Sequence, residues 1–447
     1  MSRKSLAVVL ASCFLVSFAI RFYAAMKCSA LPDFSDMAAY NAAALAKGFP
    51  TSLPPGYPLF LRVIYAAFGA CNYKAVFVVQ GLLGSLTVVL MYWIARKIAN
   101  DRAAMLAAGI AAIYPNFIVY GLTTLTETVA LLFVALLLLV FVSSMRGRRR
   151  SILAAVILCV GAAFRPVMFF FAPGVFASLK KRLAFVLTLI VMLTPLVFAA
   201  VAAGSNAQRA ARGFYKSYNS KSTGAGYVDI SSTDLANSDL PTSTYVKAAL
   251  AFMKNNKWKT LDIIYGKASM VISRGWDPFV MTPIMRGKGT ISRPVFYLMN
   301  YAYIPIMLLG FMGMIKLYDK KNRFLAWMAL SYLSLFVLIL IFKVRYRLMI
   351  EPLLIIYAAA FMERSFRALH APRPGAWFKR LFSPPEVEPT IAATASCSEP
   401  GDRAQRWKRL FPFRNCKDWD ILLVILLAGL AIRVYLSFSF EGHSESS

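Results

Sequence analysis

The chain has 447 residues, of which 59% are hydrophobic and only 16% are charged. Lys and Arg outnumber Asp and Glu by 50 to 20, and the formal charge of +30 at first suggests a nucleic-acid-binding protein. Most basic residues, however, lie in short clusters between long apolar blocks rather than along one basic face. This distribution predicts a polytopic membrane protein and argues against nucleic acid as a partner.

The apolar blocks predict an all-α fold with about eleven transmembrane helices, because most blocks are long enough to cross a hydrocarbon core. The predicted crossings are residues 5–24, 75–95, 103–122, 127–145, 151–164, 167–179, 183–203, 296–315, 324–342, 348–362 and 419–438. The first block is longer than a signal-peptide core, so we interpret it as a retained helix. The two short crossings within 151–179 are separated at Arg165-Pro166, where proline favours a break.

The basic links between the predicted crossings indicate the orientation of the chain, because cytoplasmic loops carry an excess of Lys and Arg. Five basic segments fall on the same, cytoplasmic side as the N-terminus: RKIANDR (96–102), RGRRR (146–150), KKR (180–182), KLYDKKNR (316–323) and residues 363–418. We therefore expect a cytoplasmic N-terminus and two large outer loops, residues 25–74 and 204–295. A bacterial inner membrane, with the functional site on the periplasmic side, is the expected location.

The last part of the chain has a different composition. Residues 363–418 form a basic, Pro-rich linker, and its segments WFKRLFSP (377–384) and WKRLFPF (407–413) are typical of interfacial anchors that contact membrane lipids. The last crossing contains LLAGLAIRVY (426–435), which is similar to VSFAIRFY (16–23) in the first. Residues 419–447 are either a truncated second copy of the module formed by residues 1–362 or a chance recurrence of interfacial residues.

The first outer loop contains the stretch SDMAAYNAAALAKGFPTSLPPGYP at residues 35–58. Asp36 and Tyr40 are four residues apart, so they share one face of a helix. The PPGYP run predicts a rigid turn after this helix, because proline fixes φ and glycine allows conformations closed to other residues. A helix N-cap role for Asp36 accounts for the same pattern. We expect amphipathic helices in this loop and in 204–295, where residues 243–272 have helical periodicity.

The spacing of Asp36, Tyr40 and Ala44, followed by the run from Gly48 to Pro58, resembles the first outer loop of GT-C fold glycosyltransferases. These enzymes use polyprenyl-phosphate-linked sugars and include protein O-mannosyltransferases and the lipid A aminoarabinose transferase. The resemblance covers roughly residues 1–362, with further short matches at Thr126-Glu127, GAAFRP (161–166) and Arg345-Tyr346-Arg347.

The resemblance implies that Asp36 is the catalytic acidic residue. An acceptor hydroxyl or amine must lose a proton as it attacks the anomeric carbon, so a carboxylate within hydrogen-bonding distance can serve as the general base. Direct displacement would invert the anomeric configuration. The predicted reaction is the transfer of a hexosyl or pentosyl group from a polyprenyl phosphate to a glycolipid, glycan or protein acceptor.

The leaving group in this reaction is a lipid phosphate, which needs fixed cations. Arg345 and Arg347 are predicted to bind it, because they lie on the predicted outer side and a guanidinium group can bond two phosphate oxygens. Contact with lipid headgroups is the alternative for both. Arg165 and Arg274 are further candidates for the phosphate, and interfacial capping is the alternative for Arg165.

Four residues are predicted to bind the acceptor or the sugar: Tyr40, Tyr57, Glu127 and Trp276. Helix capping is the alternative for Glu127, and a position at the membrane interface is the alternative for Trp276. No cofactor is indicated. The need for a divalent cation stays open, because Met37 stands where many relatives have a second acid.

The cysteines suggest one structural constraint. Cys28 and Cys71 lie at the two membrane ends of the first outer loop, where a disulfide in an oxidising compartment would restrain the loop. The two His and six Cys residues have no zinc-ligand spacing, so they predict no metal site.

Two other functions remain open from the sequence. An oligosaccharide polymerase or ligase also has a lipid-phosphate leaving group and outer-loop arginines, but it does not need the first-loop Asp. A transporter or flippase of lipid-linked sugars predicts broken helices and charges near the bilayer midplane. The acids and the notable arginines of this chain cluster at the predicted outer edge, which favours an enzyme.

Overall fold

The structure of the chain is a computed structural model. It describes residues 3–28, 36–48, 50, 53–202, 205–222, 235, 240–273, 293–317, 323–339 and 344–369. By its contacts the chain divides into two units, Met1–Ser383 and Pro384–Ser447. All described residues belong to the first unit. The predicted crossing at 419–438 and the two interfacial segments lie outside the described residues.

Most of the described residues lie in helices. The α-helices are α1 Arg3–Lys27, α2 Asp36–Leu45, α3 Gly56–Phe68, α4 Tyr73–Ile98, α5 Asp101–Ile113, α6 Pro115–Val119, α7 Glu127–Val142, α8 Gly147–Phe164, α9 Ala172–Ser178, α10 Arg182–Ala202, α11 Ser205–Ser217, α12 Thr242–Asn255, α13 Lys257–Ser273, α14 Arg293–Lys316, α15 Arg323–Ile339, α16 Val344–Arg347 and α17 Glu351–Leu369. Short 3-10 helices occupy Tyr120–Leu122, Pro166–Phe171 and Leu348–Ile350. The predicted all-α fold is confirmed for the part of the chain that the structure describes.

Within the described residues, each predicted crossing from 5–24 to 348–362 coincides with one helix or with two or three consecutive helices. By length and hydropathy, two described helices, Lys4–Lys27 and Tyr73–Ile98, can each span a membrane alone. The pair Asp101–Ile113 and Pro115–Leu122 is bent by 51° and qualifies together. The other apolar helices found in the described ranges have 10–17 residues. These helices are those of an integral membrane protein, but the predicted number of about eleven crossings is not confirmed.

Local sequence explains several helix boundaries. The side chain of Asn72 accepts a hydrogen bond from the backbone N–H of Ala75 at 3.1 Å, and thereby caps the start of α4. Asn100 caps α5 in the same way, through the N–H of Ala103 at 3.0 Å. Pro115 is the first residue of α6, and because proline cannot continue the hydrogen-bond ladder of α5, the chain bends at this point.

Small residues allow the helices to pack closely. The buried face of α5, which packs against α4 and α17, consists of alanines: Ala103, Ala104, Ala107, Ala108, Ala111 and Ala112. Where α14 packs on α17, a methyl group added at Gly310 would lie 2.7 Å from the carbonyl oxygen of Leu354. Small residues permit such close approach of helix backbones in membranes. α17 is thereby fixed on two sides, and α16 lies just before it in the chain.

Arg21 is a buried charged residue within α1. Its Nη1 donates to the Ser17 hydroxyl at 2.6 Å and to the Ala112 carbonyl at 3.0 Å, and its Nη2 donates to the Ala111 carbonyl at 3.3 Å. The two carbonyls belong to the last turn of α5, where the helix itself offers no partners. Arg21 therefore joins α1 to the end of α5, directly before the bend into α6.

The predicted outer loop 204–295 contains α11, α12 and α13. The helical region predicted over 243–272 forms two helices that are separated at Asn256. A small core joins the helices of this loop: Ala211, Tyr215, Tyr218, Tyr245, Ala249 and Ile263. α13 also buries Lys267, whose Nζ lies 4.0 Å from the centre of the Tyr218 ring. Burial lowers the pKa of Lys267 to about 7.

Candidate active site

Asp36 and Arg345 form an ion pair between the start of α2 and the short helix α16. The Nη2 of Arg345 donates a hydrogen bond to Oδ2 of Asp36. The Asp36 side chain is 45% exposed, whereas the Arg345 side chain is only 10% exposed. The predicted catalytic carboxylate therefore faces accessible space while it is held by a largely buried cation.

Glu127 and Arg165 form a second ion pair beside the first. Nη1 of Arg165 lies 2.7 Å from Oε1 of Glu127 and donates to the Thr126 hydroxyl, also at 2.7 Å. Nε of Arg345 lies 3.8 Å from the same Glu127 oxygen. Glu127 is fully buried and begins α7, where the helix dipole favours a negative charge. Arg345 thus lies between two carboxylates, and we call Asp36, Glu127, Arg165 and Arg345 the charged cluster.

Tyr346 contacts both arginines of the charged cluster. The guanidinium carbons of Arg165 and Arg345 lie 5.1 Å and 5.8 Å from the centre of its ring. The backbone carbonyl of Tyr346 accepts a hydrogen bond from the Tyr332 hydroxyl at 2.7 Å, which fixes α16 to α15. Burial would lower the pKa of Arg345, but Glu127 and Asp36 raise it well above its usual value. Arg345 therefore stays charged despite its burial.

Tyr40 lies one helical turn after Asp36 on α2 and near the charged cluster. Its ring meets the ring of Tyr57 edge to face, with centroids 5.1 Å apart. Burial raises the pKa of Tyr40 above its usual value; the two carboxylates of the charged cluster raise it further, whereas its two arginines lower it. Tyr57 is fully buried, and its hydroxyl donates to Oε1 of Gln80 at 3.2 Å. Tyr57 therefore supports the ring of Tyr40, and its contact with a substrate stays a prediction.

The PPGYP run brings α3 close to the end of α8. Gly56 is the first residue of α3, and it is not among the described glycines with positive φ. A methyl group at Gly56 would lie 2.8 Å from Cδ2 of Phe164 and 2.9 Å from the carbonyl of Ala163. Glycine is needed here for close packing rather than for an unusual backbone conformation, which corrects the interpretation from sequence. The residue after Phe164 is Arg165, so this contact lies next to the charged cluster.

Arg347 belongs to a separate, fully buried group. Its Nε donates to Oε1 of Glu351 at 3.0 Å, and its guanidinium carbon lies 3.3 Å from the centre of the Tyr303 ring. Nη1 of Arg347 donates to the carbonyl of Val271 in α13 at 3.4 Å, and the Tyr303 hydroxyl donates to the same carbonyl at 2.8 Å. The structure thus gives Arg347 a carboxylate partner of its own. Its phosphate-binding role stays a prediction.

Several predicted residues are not joined to the charged cluster. Arg274 and Trp276 lie outside the described residues. Cys28 is buried after α1 and Cys71 is exposed in the turn before α4, and a disulfide between them stays a prediction. In the ranges that the structure describes, no group of three or more His, Cys, Asp and Glu side chains is arranged to hold a metal ion.

Sequence reasoning missed Gln80 and Glu351, which contact the segment before Glu127 and the side chain of Arg347, respectively. Gln80 is fully buried in α4, and its Nε2 donates to the carbonyls of Gly121 at 3.2 Å and Thr123 at 2.7 Å, just before Glu127. An amide inside an apolar helix was the available signal, because such a group needs buried partners. Glu351 was also missed, although its spacing of four residues from Arg347 is that of a helical ion pair.

The described helices and the charged cluster define a membrane protein with a polar site at the ends of its helices. Residues 52–204 match the family model described as dolichyl-phosphate-mannose-protein mannosyltransferase. The matched range includes Tyr57, Glu127 and Arg165, whereas Asp36 and Arg345 lie outside it. Over this range the match confirms the resemblance to GT-C glycosyltransferases that use polyprenyl-phosphate sugars. No curated protein matches the chain.

Three solved structures are similar to the chain. The apo oligosaccharyltransferase of Archaeoglobus fulgidus has a TM-score of 0.43 and 13% identity, over 81% of this chain and 51% of that chain. For ArnT of Cupriavidus metallidurans bound to undecaprenyl phosphate, the TM-score is 0.43 and the identity 12%, over 83% of this chain and 64% of that chain. AglB of Archaeoglobus fulgidus in complex with an inhibitory peptide and a dolichol-phosphate has a TM-score of 0.42 and 13% identity, over 96% of this chain and 55% of that chain. The chain spans between about half and two thirds of the length of these proteins.

Proposed function

We propose that the protein is a glycosyltransferase that moves a sugar from a polyprenyl-phosphate carrier to an acceptor, with inversion at the anomeric carbon and with Asp36 as the general base. The reaction takes place at the periplasmic face of the membrane in this proposal. The observation that carries it is the setting of Asp36, which is half exposed at the start of α2 and paired with a largely buried guanidinium group. The family match of residues 52–204 supports the reaction class.

The two carboxylates of the charged cluster have different exposures, which suggests different roles. Asp36 is 45% exposed, so an acceptor hydroxyl or amine can approach it. Glu127 is fully buried between Arg165 and Arg345, so it is suited to fix the two guanidinium groups. We therefore propose that Asp36 takes the proton from the acceptor. Glu127 instead positions Arg165 and Arg345 and does not bind the acceptor directly.

The charge balance of the charged cluster links proton transfer to Asp36 with the departure of the phosphate. Two carboxylates and two guanidinium groups give a formal charge of zero. As the acceptor atom bonds to the anomeric carbon, the bond from that carbon to the phosphate oxygen breaks and the acceptor's proton moves to Asp36. The cluster then carries one net positive charge while negative charge grows on the leaving phosphate. Protonation of Asp36 thus makes the charge of Arg345 available to the leaving group.

The proposal is tested by Asp36→Asn, which keeps the size of the side chain and removes the base. Mass spectrometry of envelope glycolipids and glycoproteins, with and without the gene, first defines the sugar and its acceptor. We expect Asp36→Asn to lower the rate of that transfer by about 100-fold to 10,000-fold, the usual contribution of a general base. Asp262→Asn is the matched control, because this acid is 64% exposed and pairs only with the exposed Lys259 among the described ion pairs.

The same variant separates the competing functions. An oligosaccharide polymerase or ligase does not need Asp36, so full transfer by Asp36→Asn would reject our proposal. A flippase would move the carrier lipid across proteoliposomes without glycosyl transfer. Carrier movement in the absence of any transferred sugar would therefore also reject it.

A further inference from the structure

Arg62 on α3 binds the carboxyl-terminal end of α2. Its Nε donates to the carbonyl of Ala44 at 3.1 Å, and its Nη1 donates to the carbonyl of Gly48 at 2.8 Å. Its Nη2 donates to the carbonyls of Ala43 at 3.3 Å and Ala46 at 2.8 Å. One half-buried guanidinium group therefore makes four hydrogen bonds to the last turn of α2 and to the chain that follows it.

These hydrogen bonds meet a specific need of α2. The helix has only ten residues, and helices shorter than about 12 residues are marginal in water. The last carbonyls of a helix have no partner within it, and a cation near that end is favourable because of the helix dipole. Beyond the end of α2, Gly48 has a φ of +87°, which turns the chain so that its carbonyl also reaches Arg62.

Arg62 also connects α2 to the part of the structure that holds Arg165. α3 begins at Gly56, whose backbone packs against Ala163 and Phe164, directly before Arg165. A second contact joins α2 to α3, because the Tyr65 hydroxyl donates to Oδ1 of Asn41 at 2.7 Å in a buried position. The position of Asp36 at the other end of α2 is therefore tied through α3 to the segment that carries Arg165.

We propose that Arg62 is a positioning residue, which holds α2 so that the Asp36 carboxylate keeps its place against Arg345. The inference rests on the proposed function in one respect: the general base is on α2. A planar fork is required, because a single ammonium group cannot reach four carbonyls that are spread over two turns of chain. A misplacement of the base by about 1 Å is enough to slow catalysis by about 100-fold.

The test compares Arg62→Ala and Arg62→Lys with Arg148→Ala, which removes an exposed arginine at the start of α8. In Arg62→Ala we expect kcat to fall by about 10-fold to 100-fold while KM for the lipid donor changes by less than about 3-fold, because the base moves and the donor site does not. Arg62→Lys should recover only a small part of kcat. Added guanidinium ions should restore kcat in Arg62→Ala, whereas methylammonium should not. Arg148→Ala should behave like the wild type.

Amide hydrogen exchange gives a readout that does not depend on activity. We expect the amides of residues 36–46 to exchange faster in Arg62→Ala than in Arg148→Ala, with unchanged exchange in α4. Equal protection of α2 in both variants, or full kcat in Arg62→Ala when Asp36→Asn is inactive, would overturn the inference. If Asp36→Asn is fully active, the proposed function fails and the positioning role fails with it, whatever the exchange of α2 shows. If Arg62→Ala elutes as an aggregate, the amide exchange of residues 36–46 and the kcat of Arg62→Lys test the inference by the same criteria.

Discussion

Asp36 and Arg345 are 309 positions apart in the sequence, yet they form an ion pair in which the carboxylate is accessible and the guanidinium group is largely buried. Nε of the same guanidinium group lies 3.8 Å from Oε1 of Glu127. Arg345 is therefore the residue through which the two carboxylates of the charged cluster are connected. Its removal would leave both acids with Arg165 as the remaining cation of the cluster.

We predict that Arg345→Gln lowers kcat by about 100-fold or more, because the leaving phosphate loses a fixed cation and Asp36 loses its partner. Arg345→Lys should retain part of the activity, since it keeps the charge but not the fork. The measurement is the rate of sugar transfer at saturating donor. Arg96→Gln is the control, because Arg96 pairs with Asp101 at 2.5 Å in a partly exposed position. Transfer by Arg345→Gln at the rate of Arg96→Gln would contradict the prediction.

A second prediction concerns the buried pair of Arg347 and Glu351. Both side chains are 0–1% exposed, and Tyr114 and Asn116 lie beside the Glu351 carboxylate. We expect Arg347→Met or Glu351→Gln alone to lower the free energy of unfolding by about 3–5 kcal/mol, because each leaves an uncompensated buried group. The double variant should be more stable than the sum of the two losses predicts. Denaturation of the detergent-solubilised variants measures this cycle, and strict additivity would exclude the coupling.

A third prediction concerns the pH dependence of stability. The pKa of Lys267 is about 7 in the folded protein against an ordinary value of 10.5, and burial is the cause. Between these pH values the unfolded chain binds the proton and the folded chain does not, so stability rises with pH in this window. Below about pH 7 the cost of the buried charge is present in full. Lys267→Met should therefore raise Tm at pH 7 and remove the rise between pH 7 and 10.5.

Lys259→Met is the control for the Lys267 prediction, because Lys259 is 43% exposed on the same helix. It should change neither Tm at pH 7 nor the pH profile. Thermal denaturation of both variants at several pH values makes the comparison. A profile of Lys267→Met that keeps the wild-type slope would show that another group produces it.

The close contact at Gly56 leads to a fourth prediction. In Gly56→Ala the new methyl group would meet the backbone of Ala163 at 2.9 Å, and a backbone cannot move aside as a flexible side chain can. We expect a loss of about 1–3 kcal/mol in stability, the usual cost of overpacking, and reduced sugar transfer because Arg165 follows the contact. Gly109→Ala is the control: nothing lies within 4 Å of its added methyl group, so this change in α5 should be neutral or slightly stabilising. A neutral Gly56→Ala would contradict the prediction.

Local patterns in the sequence predicted local structure correctly. The spacing of Asp36 and Tyr40 predicted a shared helix face, and the structure has both residues on α2 near the charged cluster. The apolar blocks predicted helices at the right places in the described ranges, because hydropathy is a property of consecutive residues. The number of membrane crossings could not be established in this way, since helices of 10–17 residues do not reveal their depth in the membrane.

Tertiary contacts were not predictable from the same patterns. Arg345 and Arg347 were equivalent in the sequence, yet they face different partners, because residues two apart on a helix point in different directions. The pairing of Asp36 with Arg345 depends on how distant helices pack. Arg62 was not singled out in the sequence, since the carbonyls to which it donates belong to the backbone and leave no trace in residue type.

The contacts of Arg21 have a consequence for membrane insertion. The carbonyls that accept its hydrogen bonds, those of Ala111 and Ala112, are synthesised 90 and 91 residues after it. During biosynthesis α1 therefore enters the bilayer with a guanidinium group whose partners in α5 do not yet exist, at a cost of about 2.5–3.5 kcal/mol if the charge lies deep. This cost is recovered only when α5 joins α1. The guanidinium group of Arg21 thus gains its partners in α5 only after residues 111 and 112 have been synthesised.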